Sequence, residues 1–173
     1  MDKIAYEGKT YERRKDKWTD GDGMVVHEGL QKILNRALAD TQDRDGMPVD
    51  ECVKQGDAFK SSSSYALALQ YYEAAVGRCD YEMMSVILPR MTSCYRKTGQ
   101  PQKAIDILTY ASKAFGQGML NPALLTSAAA AYCDMKDYER AKKCCDRAYA
   151  MTKGRASGEL ASVYGRIKKE TGE

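Results

Sequence analysis

From Val49 onward, apolar residues recur at the three- and four-residue intervals that are typical of amphipathic helices. The pattern is interrupted at residues that end one helix and begin the next: Gly99 is followed by Pro101, and Asn121 is followed by Pro122. The spacing of these interruptions predicts about seven helices of roughly 12 to 16 residues each.

A set of small and large residues recurs within this helical part. Three copies with the same spacing are Gly56, Phe59, Tyr65, Ala68, Tyr72 and Ala75; Thr92, Tyr95, Pro101, Ala104, Leu108 and Ala111; and Ala129, Tyr132, Tyr138, Ala141, Cys145 and Ala148. A partial fourth copy consists of Ala161 and Tyr164. Small residues let two antiparallel helices approach closely, and the large residues fill the space beside that contact. These positions are therefore predicted to form a packing seam between helices rather than a ligand site.

This order of small, aromatic and alanine positions resembles the tetratricopeptide repeat family over about residues 49–170. The resemblance implies a mainly α-helical protein in which helical hairpins stack into a right-handed superhelix. The implied repeats are 49–82, 85–118 and 122–155, and a capping helix follows at 156–170. In the second copy, Thr92 and Pro101 occupy positions where the family usually has a small residue and an aromatic one.

The N-terminal part of the chain has a different pattern. Short alternating runs, separated by glycine, lysine and aspartate, predict a small β-meander over residues 1–26. An amphipathic helix is predicted over 27–42 and a linker over 43–48. The apolar stripe of that helix consists of Leu30, Ile33, Leu34, Ala37 and Leu38. Because an isolated hairpin is at best marginally stable in water, we expect the strands to pack on the exposed end of the first repeat.

Composition and charge exclude several classes of protein. Hydrophobic residues make up 43% and charged residues 29%, which is typical of a globular protein, and the net charge of +3 is too small to indicate nucleic-acid binding by itself. Neither a signal peptide nor an apolar run long enough to span a bilayer is evident, so we expect a cytoplasmic protein that does not bind membranes. The six cysteines fall inside predicted helices, so we expect reduced thiols and no bound metal.

Candidate catalytic chemistry is sparse. His27 is the only histidine, and no serine, cysteine or acidic residue forms a recognisable nucleophile motif around it. No glycine-rich loop follows a predicted strand in the way that nucleotide phosphates require. We therefore expect neither an enzyme nor a cofactor.

The resemblance also implies a groove lined by the first helix of each hairpin, and the usual role of the family is to bind proteins or peptides. The candidate groove residues are Val86, Pro89, Ser93, Arg96, Lys97, Thr126, Ala130 and Asp134. Since Arg96 and Lys97 form a positive edge beside small residues, we expect a non-catalytic scaffold that binds an acidic peptide or helix with an apolar anchor. Pro89 either kinks its helix or lies close to the start of a helix that begins near Leu88.

The alternative hypothesis is a nucleic-acid-associated adaptor that uses the N-terminal strands. Its candidate residues are Tyr11, Arg13, Arg14, Lys17 and Trp18. In this segment cations could contact phosphates while aromatic rings stack on bases. Runs of this kind are more often solvated strands and turns, so nucleic acid is the less favoured partner.

Overall fold

A computed structural model describes residues 2–6 and 8–172 of the chain. The chain divides after Pro48 into two compact units. The first, which we call the N-terminal unit, contains a small sheet and one helix. The second, which we call the repeat unit, begins at Val49 and is built from helices.

The N-terminal unit contains the predicted β-meander. Strands β1 (Lys3–Tyr6), β2 (Lys9–Arg14) and β3 (Lys17–Thr19) form an antiparallel sheet in sequence order. Lys15 and Asp16 connect β2 to β3, and both have positive φ angles, as a two-residue type I′ turn requires. Helix α1 (Glu28–Gly46) follows the sheet.

Trp18 is the centre of the core of the N-terminal unit. Its ring is fully buried with Tyr11 and Leu34, and its indole Nε1 donates a hydrogen bond to Asn35 Oδ1 at 2.8 Å. Gln31 in α1 also accepts from the Trp18 backbone N–H at 2.8 Å and donates to the Trp18 carbonyl at 3.1 Å. Within the N-terminal unit, α1 therefore covers one face of the sheet.

Helix α1 is longer than predicted. It continues to Gly46, so most of the predicted linker 43–48 is helical. The segment after residue 42 has few apolar residues, which favours a linker, but it contains no helix breaker before Gly46 and Pro48.

The repeat unit contains three helical hairpins and a single terminal helix. Their bounds are α2 (Val49–Ser61), α3 (Tyr65–Val76), α4 (Tyr81–Lys97), α5 (Pro101–Phe115), α6 (Pro122–Asp134), α7 (Tyr138–Met151) and α8 (Gly158–Thr171). A short 3₁₀ turn, Gln117–Met119, lies between α5 and α6. The second hairpin begins before the predicted start at 85, because the Asp80 side chain caps α4 by accepting from Met83 N at 2.8 Å.

The predicted packing seam is confirmed within the hairpins. Ala68, Tyr72 and Ala75 of α3 have no exposed surface, and the matching small residues of the next two hairpins are also fully buried: Ala104, Ala111, Ala141 and Ala148. Ala161 of the partial fourth copy is exposed instead. Helix α8 is the last helix of the described chain, so Ala161 has no second helix of its own hairpin to pack against.

Pro89 lies inside α4, which begins at Tyr81 and not near Leu88. Since proline has no N–H, Pro89 cannot donate to the carbonyl of Ser85 in the preceding turn. The side-chain Nδ2 of Asn121 donates to that carbonyl at 2.8 Å, and its Oδ1 accepts from Leu124 N at 2.9 Å as the N-cap of α6. One asparagine thus compensates for the proline in α4 and caps α6.

Replacing Asn121 with serine should lower the free energy of unfolding by about 1 kcal/mol, because serine can still cap α6 but cannot donate to the Ser85 carbonyl. In a Pro89→Ala background the restored N–H can donate to that carbonyl, so the same substitution should have almost no effect. A double-mutant cycle measured by urea unfolding tests this coupling. Equal losses in the two backgrounds would mean that Asn121 does not compensate for Pro89.

Candidate functional site

Two neighbouring cavities of about 400 and 450 Å³ form an extended concave surface on the repeat unit. The cavities share Lys60, Arg90 and Ser93, so they form one continuous surface that we call the groove. Helices α2, α4, α6 and α8, the first residue of α3 and the N-cap of α6 supply its lining. The lining residues are Asp57, Lys60, Ser61, Tyr65, Ser85, Val86, Pro89, Arg90, Ser93, Lys97, Asn121, Ala123, Ser127 and Glu159.

Arg90 lies at the centre of the groove. Its Nε is 3.0 Å from Asp57 Oδ1, whereas its Nη1 is buried and has no hydrogen-bond acceptor in the described part of the chain. The same Asp57 oxygen accepts from the Tyr72 hydroxyl at 2.6 Å. Burial, together with this contact to Asp57, raises the pKa of Tyr72 well above its usual range, so the hydroxyl remains a donor. Asp57 therefore links the α2–α3 seam to the groove and orients Arg90.

The groove has a small excess of positive charge, with three cations (Lys60, Arg90 and Lys97) and two carboxylates (Asp57 and Glu159) among the described residues of its lining. Lys60 and Lys97 form no ion pair with any residue in the described ranges, and both line the cavity that contains Asp57. Glu159 lines the other cavity, beside the apolar side chains of Val86, Pro89 and Ala123. The groove therefore has a basic part between α2 and α4 and an apolar wall next to it.

Four of the candidate groove residues do line this surface: Val86, Pro89, Ser93 and Lys97. Thr126 and Ala130 are absent from the lining, and only 4% and 2% of their surface is exposed. The Thr126 hydroxyl donates to the Pro122 carbonyl one turn earlier, at 2.8 Å. These two positions therefore support the packing of α6 and are not available to a ligand.

Arg96 and Asp134 belong to an ion-pair cluster. Arg96 Nε donates to Asp134 Oδ2 at 2.8 Å, and Arg166 Nη2 donates to Asp134 Oδ1 at 2.9 Å. Only 13% of the Arg96 side chain is exposed. One carboxylate thus connects α4, α6 and α8. This corrects the expectation of a positive edge formed by Arg96 with Lys97, because the Arg96 side chain is largely buried and its Nε is already paired with Asp134.

Sequence reasoning missed Arg90, although a signal for it was present. Val86, Arg90, Ser93 and Lys97 recur at three- and four-residue intervals and therefore share one face of α4. The contribution of Glu159 could not be read in this way, because α8 is distant from α4 along the chain.

The N-terminal strands offer little to the nucleic-acid alternative. Tyr11 and Trp18 are buried in the core of their unit, so their rings are not available to stack on bases. Arg14 pairs with Glu12 at 2.9 Å, and Arg13 forms ion pairs with two aspartates. Lys17 is exposed, but a single lysine is a weak basis for a phosphate-binding surface.

His27 has a structural role at the start of α1. Its Nδ1 accepts from Leu30 N at 3.3 Å, so it is the N-cap of the helix. Within residues 2–6 and 8–172, no group of three or more histidine, cysteine or acidic residues could hold a metal ion. None of the helices described is both long enough and apolar enough to cross a membrane.

Comparison with solved structures identifies a similar fold. The crystal structure of the Sgt2 TPR domain from Aspergillus fumigatus matches with a TM-score of 0.62, over 72% of this chain and 80% of that chain. Only 19% of the residues are identical, so this similarity concerns the fold. No protein-family model matches the sequence, and no curated protein does. The three helical hairpins and the terminal helix of this chain therefore form a tetratricopeptide-repeat-like fold.

Proposed function

We propose that the protein is a non-catalytic interaction scaffold and that its groove binds a segment of a partner protein. The repeat-like fold supports this class of function, since stacked hairpins present an extended concave surface. The observation that carries the proposal is the lining of the groove. Lys60 and Lys97, which have no ion pair within the described chain, accompany Arg90 next to an apolar wall.

The chemistry of the lining favours a partner segment that has acidic side chains next to an apolar one. Asp57 is the one carboxylate among the described residues of the basic cavity, and it already contacts Arg90 and Tyr72. An aspartate or glutamate from the partner would offset the remaining positive charge. A large apolar side chain would cover Val86 and Pro89, which line the adjoining cavity.

Glu159 makes the two ends of the groove differ in charge. It lines the cavity with the apolar wall and is absent from the lining of the basic cavity. Because like charges repel, the acidic end of a bound segment would avoid Glu159 and lie nearer to Lys97, which lines only the basic cavity. The apolar anchor would then lie on the α6 side of the groove.

Selection of random peptides displayed on phage against the full chain tests this proposal without a known partner. We expect enrichment of sequences that place aspartate or glutamate beside a large apolar residue. The same selection against the Lys60→Glu, Lys97→Glu double variant should not enrich them, whereas a Lys168→Glu, Lys169→Glu control should. Enrichment of one acidic motif by all three baits would contradict the groove as the binding site.

A further inference from the structure

A separate cavity of about 370 Å³ lies between α5 and α7, and it shares no lining residue with the groove. We call it the α5–α7 cavity. Its floor contains the buried side chains of Leu120 and Leu125. The other residues that line it are Leu108, Thr109, Ser112, Lys113, Lys143, Cys144 and Arg147.

The rim of the α5–α7 cavity has an excess of positive charge. Lys113, Lys143 and Arg147 line it, and none of the described lining residues is acidic. Lys143 pairs with Glu139, but both side chains are largely exposed, so this pair is weak and easily exchanged. Arg147 donates to the side-chain oxygen of Gln117, a neutral acceptor that leaves the arginine charge uncompensated.

We propose that the α5–α7 cavity binds a small amphiphilic carboxylate. Its apolar chain would lie on the leucine floor, and its carboxylate would pair with Lys113 and Arg147. The volume is within the range of about 300 to 1,000 Å³ that is usual for small-molecule sites, which are mostly apolar with a few polar groups that fix orientation. No aromatic ring is present among the described lining residues, which favours a flexible alkyl chain over a flat ring system.

Cys144 provides a built-in reporter of occupancy because its partly accessible thiol lines this cavity. Cys79, also partly accessible, lines neither this cavity nor the groove and serves as an internal control. The probe is decanoate, and the rate at which a neutral maleimide alkylates each cysteine of the full chain is followed by mass spectrometry. Saturating decanoate should slow alkylation of Cys144 by at least about fivefold and leave Cys79 unchanged.

Matched probes and variants separate this site from general hydrophobic binding. Decan-1-ol, which has the same chain length without the charge, should protect Cys144 at least about tenfold less strongly. The Lys113→Gln, Arg147→Gln variant should weaken protection by decanoate by about tenfold, whereas a Lys168→Gln, Lys169→Gln control should not. Equal potency of the two probes, unchanged protection in the cavity variant, or equal protection of Cys79 would each overturn the proposal.

Discussion

Replacing Gly56 with valine is expected to lower the free energy of unfolding of the repeat unit by about 3 kcal/mol, because it overpacks a close helix contact. A Cβ at this position would lie 2.6 Å from Cε1 and 2.8 Å from Cδ1 of Tyr72. The ring cannot move aside, since it is fully buried and Asp57 holds its hydroxyl at 2.6 Å. Helices α2 and α3 would therefore have to separate.

Gly165→Val is the matched control for this substitution. Gly165 also lies within a helix, but nothing is within 4 Å of the Cβ position that valine would introduce. The control should change stability by no more than about 0.5 kcal/mol. Urea unfolding should be followed by far-UV circular dichroism, because the only tryptophan, Trp18, lies in the N-terminal unit. Similar losses in the two variants would mean that Gly56 and Tyr72 are not in close contact.

Reversing two charges in the groove is expected to have the largest effect on binding. The Lys60→Glu, Lys97→Glu variant should bind a phage-selected acidic and apolar peptide about 100-fold more weakly at low salt, which corresponds to about 2.7 kcal/mol. Two attractive charges become repulsive ones next to Arg90. Both lysines lie in the last turns of their helices, where glutamate opposes the helix dipole, so the free energy of unfolding should fall by about 1 kcal/mol, as it should in a control that reverses two last-turn lysines of α8.

Lys168→Glu with Lys169→Glu is the control for this charge reversal. It changes the net charge of the protein by the same amount as the groove variant does. The substituted residues are exposed on α8 and do not line the groove. Isothermal calorimetry at two salt concentrations should show peptide affinity within about twofold of the unchanged chain. An equal loss in the control would mean that overall charge, and not the groove, determines binding. Arg96 is unsuitable for this purpose, because glutamate there would face Asp134 and disturb the packing of α4 on α6.

The helical hairpins could be predicted from the sequence because their signals are local. The spacing of Ala68, Tyr72 and Ala75 identifies the buried face of one helix without knowledge of its neighbours. Gly99 marks the end of α4 and Pro101 marks the start of α5, because glycine and proline themselves favour the backbone conformations found at helix ends. These signals give the order of elements and the packing seam.

The groove could be predicted only in part, because the availability of a cation depends on tertiary partners. Arg90 and Arg96 of α4 each pair with an aspartate of another helix, but 29% of the Arg90 side chain is exposed and only 13% of the Arg96 side chain is. Trp18 is similar: its place in an alternating basic run favours an exposed strand, but α1 covers it and supplies the partner for its indole N–H. Such partners come from other elements of the fold, so spacing along one element cannot reveal them.

The most direct test of the central proposal is to locate peptide binding on the full ¹⁵N-labelled chain by NMR. Adding the selected peptide should shift the amide signals of α2 and α4 most strongly, around Lys60, Arg90 and Ser93, with smaller changes near Ala123. Signals of the N-terminal unit should remain nearly unchanged. Shifts concentrated in α5 and α7, or in the strands of the N-terminal unit, would contradict the groove as the site of partner binding.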